Sequence, residues 1–214
     1  MTIKAVLWDF GGVITTSPFE AFNRFEKALR LPVDFIRKIN STNPKTNAWA
    51  QLESSQISVE EFDIMFALEA RELGHEVSGS QVLALLSGDL RPEMVNALKI
   101  IKSTHKIGCI TNNVKSGAGP SMARDPEKAA QMNEVMDLFD VVIESSKVGI
   151  RKPDPKIYLL ACQKMDIEPG EALFLDDLGI NLKPAKALGM STIKVLNARQ
   201  ALDDLEECLG MAVR

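Results

Sequence analysis

The chain has 214 residues, with 25 Lys and Arg against 29 Asp and Glu, a formal net charge of −4. At 45% apolar and 25% charged it reads as an ordinary globular protein, long enough to bury a core without disulfide or metal staples. The acidic balance speaks against a nucleic-acid binder. The longest uncharged stretch, Val77–Gly88, is twelve residues and falls short of the ~18 apolar residues of a membrane span.

Strand one is expected over Ile3–Trp8, an apolar run that stops at Asp9-Phe10-Gly11-Gly12, where paired glycines signal a tight turn. The run carries Lys4 and meets Asp9 at once, so it does not read as a secretory signal, and the expected location is the cytoplasm. Residues 16–90 follow with no convincing strand. Helices are expected over Pro18–Leu31, from the capping box Ser58-Val59-Glu60-Glu61 through the stripe Phe62, Met65, Phe66, Ala70 and Leu73, and over Gln81–Leu86. Phe19, Phe22, Trp49 and Gln51 of this region are candidates to face a site, although aromatic residues there favour a core role.

From residue 91 onwards strands and helices alternate. Pro92 opens a helix with Val95, Leu98 and Ile101 on one stripe, and strand two is expected over Lys106–Ile110. Lys115–Pro126, rich in Gly, Ser, Ala and Pro, reads as an exposed loop. Asp125-Pro126 then caps a helix with Ala129, Met132 and Met136 inward, before strand three at Asp140–Ile143. Asp154-Pro155 repeats the device ahead of Ile157, Tyr158, Ala161, Cys162 and Met165. Strand four is expected at Ala172–Leu175, a helix at Leu182–Leu188, strand five at Ser191–Leu196 and a last helix at Gln200–Leu209. This layout predicts an α/β fold: a Rossmann-like, mostly parallel sheet sandwiched by helices, with a helical cap inserted after the first strand. The core would comprise residues 1–15 and 91–214, and the cap residues 16–90.

Cys109, Cys162 and Cys208 are far apart and form no CxxC pair, which points to buried free thiols in a reducing compartment. His75 and His105 share no spacing with a cysteine or carboxylate cluster. Any chemistry must therefore rest mainly on carboxylates.

Four polar signals fall at the carboxyl ends of expected strands, where open α/β sheets bind ligands. They are Asp9, Thr111-Asn112-Asn113, Lys152-Pro153-Asp154-Pro155 and Asp176-Asp177. Each has a bland reading as a turn or a helix cap. Asp176-Asp177 resists it, because two like charges ending the apolar run Leu173-Phe174-Leu175 are awkward without a cation. Carboxylates without a nearby histidine or thiolate make a hard oxygen site suited to Mg²⁺. Thr111, Asn112 and Lys152 supply a hydroxyl, an amide and a fixed charge for the oxygens of a phosphoryl group, and Asp9 can be a nucleophile.

In this order the four motifs resemble the haloacid dehalogenase superfamily of Mg²⁺-dependent phosphohydrolases. Ile143-Glu144-Ser145-Ser146-Lys147-Val148-Gly149 and the segment from Leu175 to Ala185 are similar to the N-terminal phosphatase domain of soluble epoxide hydrolases. The resemblance implies that Asp9 is nucleophile and metal ligand, and that Gly11 offers its backbone carbonyl to the metal. It implies phosphate binding by Thr111 and Asn112, and orientation of nucleophile and phosphate by Lys152. Asp177 would be the direct metal ligand, with Asp176 and Asn181 close by. The implied substrate is a small phosphoester, and neither nucleic acid nor membrane is an expected partner. One departure matters: phosphatases of this family carry a second Asp two residues after the nucleophile, where this chain has Gly11. That loss leaves open a metal-independent dehalogenase chemistry or a catalytically weak module that binds a phospho-ligand. Asp176-Asp177 favours metal and phosphate over the dehalogenase branch.

Overall fold

The expected first strand is the centre of the sheet. In the computed structural model, which describes residues 2–114 and 125–214, β1 spans Ala5–Trp8 and all four residues are fully buried. Burial on both faces is why the sequence shows an unbroken apolar run there rather than an alternating one. Fully burying one such aliphatic side chain contributes about 1.5–3 kcal/mol.

The tight turn Phe10–Ile14 leaves β1 and is closed by Thr15 N donating to Phe10 O at 3.1 Å. Five helices follow: α1 (Pro18–Ala28), α2 (Phe35–Ser41), α3 (Ala48–Glu53), α4 (Val59–Glu72) and α5 (Gly79–Leu83). The remaining units are α6 (Pro92–Lys102), β2 (Lys106–Thr111), α7 (Pro126–Met136), β3 (Val141–Glu144) and α8 (Ser145–Val148). After these come α9 (Pro155–Met165), β4 (Ala172–Asp176), α10 (Gly179–Ala187), β5 (Ser191–Lys194) and α11 (Ala198–Leu209).

The five strands are parallel, in the order β3-β2-β1-β4-β5. The chain builds outward from β1 in one direction, then returns to add β4 and β5 on the other side. The carboxyl ends of β1 and β4 therefore flank the switch point where such sheets bind ligands. One face of the sheet packs on α6, α7 and α11, and the other on α9 and α10. The insert has a separate apolar cluster built on Phe22, Phe35, Phe62 and Phe66, with Phe19 and Trp49 packed against it. Gln51 donates to Thr46 O, so its amide is engaged within the insert.

Several expected boundaries shift. The helix expected at Leu182–Leu188 starts at Gly179, because Asp176 Oδ1 accepts from Leu178 N (2.8 Å) and Asn181 N closes onto Leu178 O (3.0 Å). It continues through Pro184. The helix expected at Gln81–Leu86 is α5, two residues earlier, because Ser78 and Gln81 form its capping box. The first helix ends at Ala28 rather than Leu31, and on α6 Met94 is buried in place of the half-buried Val95. Helices α2, α3 and α8 were not anticipated. Cys109 and Cys162 are buried as expected, but Cys208 is exposed. The loop expected over Lys115–Pro126 lies outside the described residues except for Asp125 and Pro126, which begin α7.

Candidate active site

The register brings the acidic residues to one edge. Trp8 pairs with Leu175, and Asp9 N donates to Leu175 O at 2.8 Å, so Asp9 stands one step beyond β1 beside the end of β4. Thr111 closes β2, which flanks β1 on its other side. Both Asp9 and Thr111 are buried.

Lys152 is the hub. Its side chain is 1% exposed, and Nζ lies 2.8 Å from both Asp9 Oδ1 and Asp176 Oδ2. Asp9 Oδ1 also accepts from Phe10 N at 2.7 Å, which fixes the carboxylate at the mouth of the turn. Asp176 is fully buried, and Asn181 Nδ2 donates to both of its oxygens at 3.0 Å. Behind this, Tyr158 Oη donates to Asn181 O at 2.7 Å. Asp177 Oδ2 accepts from Ser17 Oγ at 3.1 Å. Ser17 is the N-cap of α1, yet its side chain makes no capping bond.

One carboxylate oxygen from each of Asp9, Asp176 and Asp177 lies within 4.8 Å of the others. Three carboxyl groups thus face one ammonium, with Asp9 and Asp176 buried and Asp177 partly so. The consequences show in the acidities. Burial pushes Asp9 well up, Lys152 opposes it, and Asp176 and Asp177 add to it. Burial and then Asp176 push Asp177 up to about 6. Burial alone would lower Lys152, but Asp176 and Asp9 hold its ammonium above the ordinary value. Three clustered hard oxygen donors suit a divalent cation such as Mg²⁺, whose charge would favour their ionised forms.

The amide of Asn112, expected at the phosphate, is bonded to the backbone of Lys152. Its Oδ1 accepts from Lys152 N at 2.8 Å and its Nδ2 donates to Lys152 O at 3.0 Å. The side chain thus pins the backbone that carries the hub lysine. Asn113, the last residue of the polar signal after β2, had no expected role; its Nδ2 donates to Glu144 Oε2 (2.8 Å) and its Oδ1 accepts from Ser146 Oγ (2.9 Å). This buried network ties the end of β2 to β3 and α8. The glycine pair divides its work. A Cβ on Gly12, which has φ of +78°, would lie 2.2 Å from Asp177 Oδ2, whereas one on Gly11 would meet nothing within 4 Å.

The insert touches the rest of the chain at several polar points. Thr16 N donates to Asp89 O (2.8 Å) and Arg91 N to Ile14 O (2.9 Å), where the chain leaves for the insert and returns. Further round, Ser55 Oγ donates to Ser146 O at 2.7 Å, and Glu53 Oε2 meets Arg151 Nη2 at 2.5 Å.

The fold is thus a doubly wound parallel sheet with a lysine-bridged carboxylate cluster at its switch point. The chain belongs to the haloacid dehalogenase-like hydrolases, whose family model matches residues 3–189. Acyl-CoA dehydrogenase family member 10 of Mus musculus is 33% identical over 97% of this chain and 19% of that protein. Bifunctional epoxide hydrolase 2 of Mus musculus is 32% identical over 98% of this chain and 39% of that protein. The chain therefore spans less than half the length of either. Phosphatase MT3486 of Mycobacterium tuberculosis matches nearly end to end, 29% identical over 95% of this chain and 92% of that protein. Among solved structures, a HAD-like family hydrolase from Porphyromonas gingivalis superposes with a TM-score of 0.65 at 23% identity, covering 99% of this chain and 100% of that one. A Bacteroides thetaiotaomicron enzyme of the family, solved with magnesium and inorganic phosphate, superposes at 0.58 and 22% identity, covering 90% and 93%. These two likenesses bear on the fold. No helix among the described residues is long and apolar enough to cross a membrane.

Proposed function

We propose that the chain is a Mg²⁺-dependent phosphohydrolase that acts on a small phosphorylated metabolite through an aspartyl-phosphate on Asp9. The observation that carries this reading is the convergence of Asp9, Asp176 and Asp177, one carboxylate oxygen of each lying within 4.8 Å of the others. The names of Phosphatase MT3486 and of the 26% identical sesquiterpene phosphatase astK of Aspergillus oryzae support it.

Asp9, Asp177 and the backbone carbonyl of Gly11 would hold the cation, with Asp176 and Asn181 behind them. When bound, the cation neutralises the repulsion between an anionic nucleophile and an anionic phosphate. The protein's own residues do the rest. Lys152 and Phe10 N hold Asp9 Oδ1, which leaves Oδ2 to attack phosphorus. A P–O bond forms to Asp9 as the ester P–O bond breaks, and the leaving oxygen departs with the electron pair and takes a proton from solvent. Water then attacks the same phosphorus, releasing inorganic phosphate and restoring the carboxylate. Thr111 and the Lys152 ammonium receive the charge that spreads over the phosphoryl oxygens. In this reading residues 16–90 are a cap over the core of residues 1–15 and 91–214, and its closure excludes water and selects the leaving group.

A panel of phosphate monoesters assayed with Mg²⁺ and with EDTA tests the reading. Wild type should release phosphate only with the metal, and Asp9→Asn should not. Equal, background-level release from both proteins would refute it. One observation favours a second reading: at Gly11 no carboxylate is present to protonate a leaving alkoxide, so a phospho-ligand could be held without rapid turnover. Tight phosphate-ester binding with no release would identify that case.

A further inference from the structure

Arg151 and Lys152 are neighbours in one segment, yet their side chains grip different parts of the molecule. Lys152 Nζ reaches Asp9 and Asp176, and its backbone is pinned from both sides by Asn112. Arg151 reaches the insert instead: Nη2 meets Glu53 Oε2 at 2.5 Å and Nη1 donates to Pro44 O at 3.2 Å. Glu53 is the last residue of α3 and only 5% exposed. Beside it, Ser55 Oγ donates to Ser146 O at 2.7 Å.

A carboxylate buried to this degree belongs beside a counter-charge. Burial pushes the Glu53 carboxyl up, and Arg151 is the main group opposing that, with the Lys152 charge also felt there. Taking an isolated carboxylate out of water is unfavourable unless its partner is already in place. Arg151 therefore sets the condition under which α3 can lie against α8. Movement of the insert away from the core would separate the pair and pull on the residue next to Lys152. Arg151 Nε and Glu53 Oε2 are both buried without a hydrogen-bond partner among the described residues, so the pair is held as an ion pair rather than by an aligned hydrogen bond.

We propose that Glu53 and Arg151 are positioning residues that make cap closure and the seating of Lys152 on Asp9 a single event, and so gate turnover. The turnover part rests on the phosphohydrolase reading; the coupling of insert to lysine does not. Neither residue touches the carboxylate cluster. They act through the Arg151–Lys152 segment.

The test uses charge reversal and swap: Glu53→Arg, Arg151→Glu and the double variant, with Ser55→Ala as a milder companion that removes one hydrogen bond. Two measurements are made on each folded protein. The first is kcat and KM for 4-nitrophenyl phosphate with Mg²⁺. The second is hydrogen exchange at the Thr16 and Arg91 amides, which bridge the two crossings into the insert. Each reversal should lower kcat about tenfold or more while KM moves little, and should speed exchange at both amides, with the β1 amides unchanged. The swap should bring kcat back to within about threefold of wild type and restore slow exchange, an outcome that general destabilisation would not give. Ser55→Ala should shift both measurements in the same direction by less. The proposal fails if single reversals leave exchange at the wild-type rate, or if the swap is as impaired as the worse single variant. Should wild type hydrolyse no phosphoester at all, the functional reading falls, and the exchange measurement still decides whether the pair couples insert to core.

Discussion

Gly12 and Asp177 approach so closely that no β-carbon fits between them: a Cβ on Gly12 would stand 2.2 Å from Asp177 Oδ2 and 2.5 Å from its Cγ. The turn after β1 and the loop after β4 are thereby locked to each other at the acidic cluster. The backbone at Gly12 also has φ of +78°, where L-residues are strained by about 1–2 kcal/mol.

Gly12→Ala should therefore displace Asp177 and weaken Mg²⁺ binding by about tenfold or more, besides costing about 1–2 kcal/mol of stability from the backbone alone. Gly11→Ala is the control. It has room on every side and φ of −68°, so its effect on stability should be within about 0.5 kcal/mol. Titration calorimetry with Mg²⁺ and thermal melting separate the two. Equal metal affinity in both variants would show that Asp177 is not held by this contact.

Asp177 also gives the metal-free protein a dependence on pH. Its carboxyl is raised from 3.8 to about 6, so folding disfavours the ionised form. The associated stability is complete below about pH 4 and is lost as pH rises through about 6, on the order of 2–3 kcal/mol in total. Denaturant melts in EDTA should show this loss between pH 4 and 7, and Asp177→Asn should flatten it. A wild-type curve that rises across that range would contradict the assignment.

Much of this site was legible in the sequence because the sheet is parallel and buried. β1 and β4 must be apolar on both faces, so Asp9 and Asp176-Asp177 stand out as abrupt ends, and the order of motifs follows the order of strands. What was not legible depends on partners far away in the chain. Helix α2 is started by the buried Glu26 carboxylate, which accepts from Asp34 N and Ile36 N at 2.9 Å, and no local pattern announces that. Asn112 was legible as a site residue, but the pairing of its amide with a backbone 40 residues on was not. Glu53 carries no local signal at all, because the arginine that faces it lies in a distant segment of the chain.

The placement of Asn112 distinguishes two roles. If its amide holds Lys152, Asn112→Ala should leave buried backbone groups of Lys152 unpaired, at a cost of about 1–3 kcal/mol. A small displacement of the lysine should then lower kcat about 10–100-fold. Mg²⁺ affinity should stay unchanged, because Asn112 touches none of the three carboxylates. Asn112→Asp keeps the acceptor for Lys152 N and should be milder. Inhibition by inorganic phosphate is the deciding measurement. A loss of phosphate affinity as large as the loss in kcat would return the amide to the phosphate-binding role expected from the sequence.

The open space at Gly11 leads to the last prediction, a gain rather than a loss. The phosphatases that this chain resembles carry a carboxylate at that position to protonate the leaving alkoxide. Here a side chain would meet nothing within 4 Å of its Cβ, and the backbone there, with φ of −68° and ψ of 129°, accepts any L-residue. Gly11→Asp should therefore fold normally and supply the missing acid. General acid–base catalysis contributes about 10²–10⁴-fold, so turnover of alkyl phosphates, whose leaving groups need a proton, should rise by up to that factor. Aryl and acyl phosphates, whose leaving groups depart unprotonated, should gain little. The comparison of an alkyl with an aryl ester in wild type and Gly11→Asp reads this directly. An equal gain on both esters would mean that the new carboxylate acts by another route, and no gain on either would place the wild-type proton donor elsewhere, in the cap or in bound water.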